Sequence, residues 1–174
     1  MNINETLKHY FGYDSLRPGQ QELIEGILQR KDVLGIMPTG AGKSLCYQVP
    51  ALMLDGITIV VSPLISLMTD QVKALNQAGV HAAYINSSLT ENQIRTALFY
   101  AAQGRYKIIY VAPERLNTMR FLEFACQVDI SMVTVDEAHC ISQWGQDFRP
   151  SYVGIADFLA QLPKRPVVSA FTAT

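Results

Sequence analysis

The sequence predicts an α/β domain in which a parallel sheet is covered by helices on both faces. The first observation is that short apolar runs alternate with stretches of helical spacing along the whole chain. The second is that several of these runs are apolar at every position, which is typical of parallel strands buried on both faces. No repeat or low-complexity tract interrupts the alternation, so the 174 residues are expected to form one domain.

Six runs are predicted as strands because they are apolar or β-branched and end at polar or turn residues. They are 33–37, 57–62, 81–86, 107–112, 132–135 and 167–173.

Five stretches between the strands are predicted as helices, and they are 44–54, 66–79, 89–104, 114–127 and 151–161. Gly79 is expected to end the second helix, and Thr90 and Gly104 are expected to cap the two ends of the third. One face of the second helix is expected to carry four apolar residues: Leu67, Val72, Leu75 and Ala78.

The composition restricts the class of protein. No apolar run approaches the ~20 residues that a membrane-spanning helix needs, and the N-terminus has no secretory signal. We therefore expect no membrane partner and an intracellular location, which is the cytoplasm or, in a bacterium, the nucleoid. Cys46, Cys126 and Cys140 form no CxxC pair, and each is expected to be a small buried residue. The net charge of −1 means that any nucleic-acid binding must depend on a local site.

The turn after the first strand reads MPTGAGKS and predicts a phosphate-binding loop. Two glycines let the backbone approach phosphate oxygens, Lys43 supplies a charge for the β- and γ-phosphates, and Ser44 offers a hydroxyl to Mg²⁺. The strict pattern has glycine where this chain has Met37, so a glycine-rich turn with an incidental lysine is the alternative. The predicted ATP-phosphate site consists of Thr39, Gly40, Ala41, Gly42, Lys43 and Ser44.

Two carboxylates follow the fifth predicted strand and complete a nucleotide site. Asp136 is expected to bind Mg²⁺ opposite Ser44, and Glu137 to polarise the water that attacks the γ-phosphate. Together with Lys43 they are the predicted catalytic residues. A zinc site is disfavoured because His139 and Cys140 have no second pair of ligands nearby, and a glycosidase pair is disfavoured because neighbouring side chains diverge. Two solvated carboxylates that cap a helix remain the simplest alternative.

MPTGAGKS and DEAH resemble motifs I and II of superfamily 2 helicases. Five further stretches resemble the RecQ family of DNA helicases, in the right order and over essentially the whole chain. They are FGYDSLRPGQQELI (11–24), VVSPLISLMTDQV (60–72), YVAPERL (110–116), SQWGQDFRP (142–150) and SAFTAT (169–174). The resemblance implies a P-loop NTPase (RecA-like) fold and an ATP-dependent 3′-to-5′ DNA helicase.

The resemblance also implies roles for residues near the nucleotide. Gln20 resembles the residue that hydrogen-bonds the adenine edge, and a glutamine can read the donor–acceptor pair of adenine, which favours ATP over GTP. Tyr13 and Arg17 resemble the neighbours that pack on the base. The simpler interpretation of Arg17 and the two residues after it is a turn.

A second set of implied roles concerns DNA. SQWGQDFRP resembles the aromatic-rich loop that couples single-stranded DNA to ATP hydrolysis, in which Trp144 and Phe148 would stack on bases and Arg149 would contact phosphate. The alternative is that both aromatic residues belong to the core. Ser62 and Pro63 match a motif that holds the DNA backbone, as do residues 113–115. Four residues are expected to transmit the signal from the γ-phosphate: His139, Ser169, Thr172 and Thr174.

The resemblance leads us to expect that residues 1–174 are the first RecA-like motor lobe, ending after the third helicase motif. A second lobe with its arginine finger, and the zinc-binding and winged-helix segments, are expected outside this chain, so the chain alone should neither unwind DNA nor turn over ATP well. Expected partners are that lobe, single-stranded DNA and duplex junctions. The alternatives are the lobe of an RNA helicase or remodelling motor, and a non-catalytic nucleotide- or DNA-binding module.

Overall fold

The computed structural model describes residues 1–38, 42–142, 145 and 147–173. Its sheet has six strands, all parallel: β1 (Val33–Ile36), β2 (Ile57–Val61), β3 (Ala82–Ile85), β4 (Ile108–Val111), β5 (Ile130–Val135) and β6 (Val167–Thr172). Their spatial order is β1-β6-β5-β2-β4-β3. The predicted α/β class with a parallel sheet is confirmed, and every predicted strand is present with its ends moved by at most two residues.

The described residues form seven α-helices: α1 (Ile3–Thr6), α2 (Gln20–Leu28), α3 (Lys43–Met53), α4 (Ile65–Gln77), α5 (Glu91–Ala102), α6 (Met119–Gln127) and α7 (Gly154–Gln161). A π-helical turn, Leu7–Phe11, continues α1, and 3₁₀ turns occupy Pro113–Arg115, Ala138–Ile141 and Pro150–Val153. The helices α1 and α2 add to the predicted elements, which begin at residue 33. Asn2 starts α1 through a capping box with Glu5.

The two faces of the sheet have separate apolar cores. Ile59, Val61 and Val133 face one core, to which α5, α6 and α7 contribute. Val60 and Met132, at alternate positions of the same strands, face the other core, to which α2, α3 and α4 contribute. Helices therefore cover both faces, as predicted.

The expected caps of α5 are present. Thr90 Oγ1 accepts a hydrogen bond from Gln93 N, and Gln93 Oε1 accepts one from Thr90 N. Gly104 adopts φ 82° just after the helix. In α4 the prediction was partly wrong: Val72 and Leu75 are buried, but Met68, not Leu67, completes the buried face.

The cysteine prediction holds for two of the three side chains. Cys46 and Cys140 are buried, but Cys126 is exposed on α6, because Phe121, Phe124 and Ala125 form the buried face of that helix. Among the described residues, no helix combines the length and the apolar character needed to cross a membrane.

The fold brings the carboxyl ends of the central strands to one edge. The backbone of Met37 donates to Thr172 O at 2.9 Å, which extends the β1–β6 ladder, and Asp136 N donates to Val61 O at 2.9 Å. Residues that follow β1, β5, β2 and β6 therefore meet at this edge, where parallel α/β sheets bind ligands.

Candidate nucleotide site

Lys43, Asp136 and Glu137 form the centre of the site, although Lys43 and Asp136 are 93 positions apart in sequence. Lys43 is the first residue of α3, and its Nζ lies 2.9 Å from Asp136 Oδ1 and 3.0 Å from Glu137 Oε1. The side chain of Asp136 is 5% exposed, so this is a largely desolvated group of charges. The three residues predicted to be catalytic therefore lie together, and their roles in catalysis stay predictions.

Electrostatics hold Lys43 in its charged form. Burial lowers the pKa of the ammonium, but the hydrogen bonds and charges of Asp136 and then Glu137 outweigh that effect, so the pKa lies above its ordinary value. At neutral pH the lysine is therefore a fixed cation between two carboxylates.

The oxygen ligands offered by Asp136 and Ser44 suit Mg²⁺ only when phosphate oxygens complete its coordination. The Lys43 ammonium stands where a cation is held by two carboxylate oxygens, and Ser44 lines the same cleft. In the described part of the chain no group of three or more histidine, cysteine or acidic residues is placed to hold a metal. Mg²⁺ in nucleotide sites takes one or two carboxylates plus substrate phosphates, and Asp136 with Ser44 fits that requirement.

Asp136 is oriented by a residue that sequence reasoning missed. The phenol of Tyr152, which is fully buried, donates to the Asp136 carbonyl at 2.7 Å, and Asp136 Oδ1 accepts from Glu137 N at 2.9 Å. Glu137 itself has a left-handed backbone, with φ 53° and ψ 47°. A non-glycine residue in this region is strained, and such strain concentrates at functional sites.

Met37, which stands where the strict phosphate-loop pattern has glycine, packs in the apolar core. Its side chain is only 8% exposed and packs beside Cys46, whose Sγ lies 3.7 Å from Met37 Sδ. Gly42 is the glycine that the loop requires, because its φ is 77° and a Cβ there would lie 2.3 Å from Gln20 Nε2. Thr39, Gly40 and Ala41 lie outside the described residues, so their predicted contacts remain predictions.

The residues predicted to contact the adenine base line the same cleft. A cavity of about 510 Å³ contacts Tyr13, Arg17 and Gln20 as well as Lys43 and Asp136. Gln20 is 1% exposed: its Nε2 donates to Gly42 O at 3.0 Å, and its Oε1 accepts from Arg17 N at 2.7 Å. In this structure Gln20 joins the turn to the phosphate loop, and its predicted contact with adenine stays a prediction.

Two of the predicted coupling residues bridge strand ends. His139 Nδ1 lies 3.0 Å from Thr172 Oγ1 and 3.6 Å from Glu137 Oε2. On its other side His139 Nε2 lies 3.5 Å from the carboxylate of Asp147, a contact that the sequence did not indicate.

Ser169 is placed differently from the other predicted coupling residues. It is fully buried on β6 and shares a 2.8 Å hydrogen bond with Thr134 of β5. Thr174 lies outside the described residues.

The predicted DNA residues differ in exposure. Arg149 is exposed and Phe148 is half-buried, whereas Ser62 is 1% exposed, and within the described residues its hydroxyl has no hydrogen-bond partner. Pro63 is half-buried beside it. Direct contact between Ser62 Oγ and a phosphate would therefore need a local rearrangement. Trp144 lies outside the described residues.

The family follows from comparison with known proteins. Residues 17–174 match the family model described as DEAD/DEAH box helicase, so the chain belongs to that family. Within that family the chain is similar to RecQ helicases. It is 52% identical over 169 residues to the ATP-dependent DNA helicase RecQ of Bacillus subtilis and 47% identical over 169 residues to that of Haemophilus influenzae. These matches cover 97% of this chain but 29% and 27% of the relatives, so the chain spans less than a third of their length.

Solved structures agree on the fold. A hypothetical ATP-dependent RNA helicase from Sulfolobus tokodaii superposes with a TM-score of 0.75 at 22% identity, over 100% of this chain and 51% of that one. The DUF1998 helicase MrfA, solved with DNA and AMPPNP, superposes with a TM-score of 0.72 at 17% identity, over 99% of this chain and 26% of that one. At these identities both likenesses bear on the fold alone, and they confirm the RecA-like architecture.

Proposed function

We propose that this chain is the first motor lobe of an ATP-dependent 3′-to-5′ DNA helicase, which binds Mg-ATP, contacts single-stranded DNA and works with a second RecA-like lobe. The observation that carries the proposal is the contact of Lys43 with both Asp136 and Glu137 at the carboxyl edge of the sheet. The RecQ relatives support DNA as the substrate, and the polarity and the binding of duplex junctions rest on the resemblance. The location proposed is intracellular.

During the cycle of ATP binding and hydrolysis, Lys43 contacts either the two carboxylates or the phosphates of ATP. In the present structure its ammonium neutralises the two carboxylates. When ATP enters, the β- and γ-phosphates compete for the ammonium, and the backbone after Gly42, at the N-terminus of α3, adds N–H donors. Mg²⁺ would then supply the positive charge that Lys43 withdraws, held by Asp136 and Ser44 together with phosphate oxygens.

Glu137 is the proposed general base. Its carboxylate lies next to that of Asp136 at the strand end and 3.6 Å from His139 Nδ1. Once Lys43 turns to the phosphates, Glu137 Oε1 is released to accept a proton from the attacking water. His139, in contact with both Glu137 and Thr172, would report this change to β6.

DNA contact is proposed for the segment that follows the 3₁₀ turn at residues 138–141. Arg149 is exposed beside this turn, and its backbone N–H donates to Cys140 O at 2.9 Å, which fixes the return of the loop to the site. Trp144 and Phe148 would stack on bases, a contact worth ~1–3 kcal/mol per base without sequence preference. With a net charge of −1, the domain depends on such local contacts.

A second candidate is an RNA-dependent motor that uses the same lobe. A protein named putative ATP-dependent RNA helicase R290, from Acanthamoeba polyphaga mimivirus, is 42% identical over 99% of this chain. Stimulation of ATP hydrolysis by single-stranded RNA rather than DNA of equal length would favour it.

The test is ATP hydrolysis by the whole protein with and without single-stranded DNA. Glu137→Gln should lower the DNA-stimulated rate at least ~100-fold, because a general base contributes about 10²–10⁴-fold, while ATP affinity stays within a few-fold. The matched control is Glu123→Gln on the exposed side of α6, which should hydrolyse at the wild-type rate. A Glu137→Gln variant with wild-type turnover would remove Glu137 from the chemistry, and absence of DNA stimulation in the wild type would contradict the motor function.

A further inference from the structure

A buried chain of hydrogen bonds crosses the core behind the nucleotide cleft. Tyr47 Oη and Tyr110 Oη are 2.9 Å apart, Gln48 Nε2 donates to Tyr110 Oη at 3.0 Å, and the same Nε2 donates to Gln71 Oε1 at 2.8 Å. Tyr47, Gln48 and Tyr110 are each at most 4% exposed. None of the four has a role in the hydrolysis mechanism above, and a buried polar network of this kind requires an explanation.

The chain of bonds joins three elements that lead to different sites. Tyr47 and Gln48 lie on α3, one turn after Lys43, and Tyr47 and Gln71 line the nucleotide cleft. Gln71 lies on α4, which begins at Ile65, directly after the predicted DNA segment at residues 62–64. Tyr110 lies on β4, three residues before the Pro113–Arg115 turn, the other predicted DNA segment.

The phenols are neutral hydrogen-bonding groups. Burial raises the pKa of Tyr47 well above its ordinary value and the pKa of Tyr110 to about 12. Neither hydroxyl therefore ionises near neutral pH, and each bond of the chain depends on the relative position of α3, β4 and α4.

The segment before α4 has an unmet hydrogen-bonding need. Ser62 Oγ is buried without a partner among the described residues, and an unsatisfied buried hydroxyl destabilises the arrangement that contains it. A shift of α4 that gave Ser62 Oγ a hydrogen-bond partner would remove this destabilisation. The unsatisfied hydroxyl therefore favours a second arrangement of α4.

We infer that Tyr110 and Gln48 are positioning residues, which transmit the state of the nucleotide cleft from α3 to the two DNA segments through α4 and β4. The inference rests on the proposed function. When Lys43 moves to phosphate, α3 shifts at its first turn, and the bonds from Tyr47 and Gln48 carry that shift to Tyr110 and Gln71. The chain of bonds lies on the opposite face of the sheet from Tyr152 and is separate from the contact between His139 and Thr172.

The experiment measures the dissociation constant of single-stranded DNA for the whole protein, with and without the analogue AMPPNP. The ratio of the two constants is the coupling factor, which in allosteric proteins is typically about 5–150-fold. Tyr110→Phe removes the hydroxyl that Tyr47 and Gln48 both contact, and Gln48→Met removes both donors at similar volume. The control is Ser131→Ala, which deletes a buried hydroxyl that accepts a hydrogen bond from Gly56 N at the other end of the sheet.

Tyr110→Phe and Gln48→Met should each lower the coupling factor at least ~5-fold towards unity. The affinity of Tyr110→Phe for AMPPNP should stay within about twofold of wild type, and Ser131→Ala should keep the full factor. A merely structural role would instead lower nucleotide affinity or affect Ser131→Ala equally, and either result overturns the inference.

The inference and the proposed function fail in different ways. A wild-type coupling factor of one contradicts the DNA-coupled motor itself and the inference with it. A wild-type factor well above one that both variants retain overturns the inference alone. If Tyr110→Phe does not fold, Gln48→Met decides the question by itself.

Discussion

Single side chains decide the chemistry of this site, and the sequence located the charged ones. Lys43, Asp136 and Glu137 were predictable because each directly follows, or nearly follows, an apolar strand of a parallel sheet. Tyr152 was not predictable, since its bond to the Asp136 carbonyl spans 16 positions with no periodic signal. The prediction that Gln20 contacts the base stays a prediction, and in the structure its amide bonds the backbone of Arg17 and Gly42.

Two buried threonines allow a matched test of the polar core. Thr58 on β2 and Thr134 on β5 are both fully buried, but Thr58 Oγ1 has no partner among the described residues, whereas Thr134 bonds Ser169 Oγ at 2.8 Å. Thr58→Val should raise the free energy of unfolding by about 1 kcal/mol, and Thr134→Val should lower it by about 1–3 kcal/mol. Urea denaturation of the chain measures both, and equal effects would contradict the assigned bonding.

At the scale of elements, burial on both faces made the strands predictable. Each of β2, β4 and β5 is buried at every position, so apolar and β-branched residues dominate its sequence. The serine and threonine residues in these three strands are Thr58, Ser131 and Thr134. Helix α2 gave a weaker signal, because Gln20 is buried in its first turn and breaks the apolar pattern of Ile24 and Ile27. The 3₁₀ turn before α7 likewise depends on tertiary contacts that no local spacing encodes.

The junction of β1 and β6 should make stability depend on pH. Asp32 accepts hydrogen bonds from Arg165 Nη1 and Nη2 at 3.1 and 2.6 Å and from Val168 N at 2.9 Å. The Arg165 hydrogen bond is the main reason that the pKa of Asp32 lies below its ordinary value of 3.8. Because the folded pKa is depressed, this stabilisation is present above pH ~4 and is lost as the pH falls through the folded pKa.

Asp32→Asn should therefore lower the free energy of unfolding at pH 7 by no more than about 1 kcal/mol, since half of the side chain is exposed and water screens the pair. The difference from wild type should shrink as the pH falls below about 4. The control is Asp14→Asn, whose carboxylate is 86% exposed and pairs with Lys8, and which should change stability less. A difference between wild type and Asp32→Asn that is constant from pH 7 to pH 3 would contradict this account. Thermal denaturation across that range measures it.

At the scale of the molecule, the order of the strands determines which residues meet at the site, but this order cannot be predicted from the sequence alone. Alternating strands and helices predicted a parallel sheet, whereas the order β1-β6-β5-β2-β4-β3 follows from long-range pairing. That order puts β5 between β6 and β2, so Asp136 and Glu137 face the turn after β1. The predicted DNA contacts come from the family resemblance alone, and they stay predictions.

The DNA contact is testable with the single tryptophan of the chain. Trp144 is predicted to lie in an exposed loop, so its emission should be red-shifted, quenched by single-stranded DNA at low salt and restored at higher salt. Blue-shifted emission that is indifferent to DNA would instead assign Trp144 to the core.

The most direct test of the central claim is a titration of this chain with a fluorescent ATP analogue, with and without Mg²⁺. The account predicts Mg²⁺-dependent binding that Lys43→Met abolishes, while Lys164→Met, which removes an exposed lysine paired with Asp129, leaves it unchanged. Circular dichroism checks that Lys43→Met remains folded. Binding of equal affinity by wild type and folded Lys43→Met would contradict the assignment of this cleft as the nucleotide site.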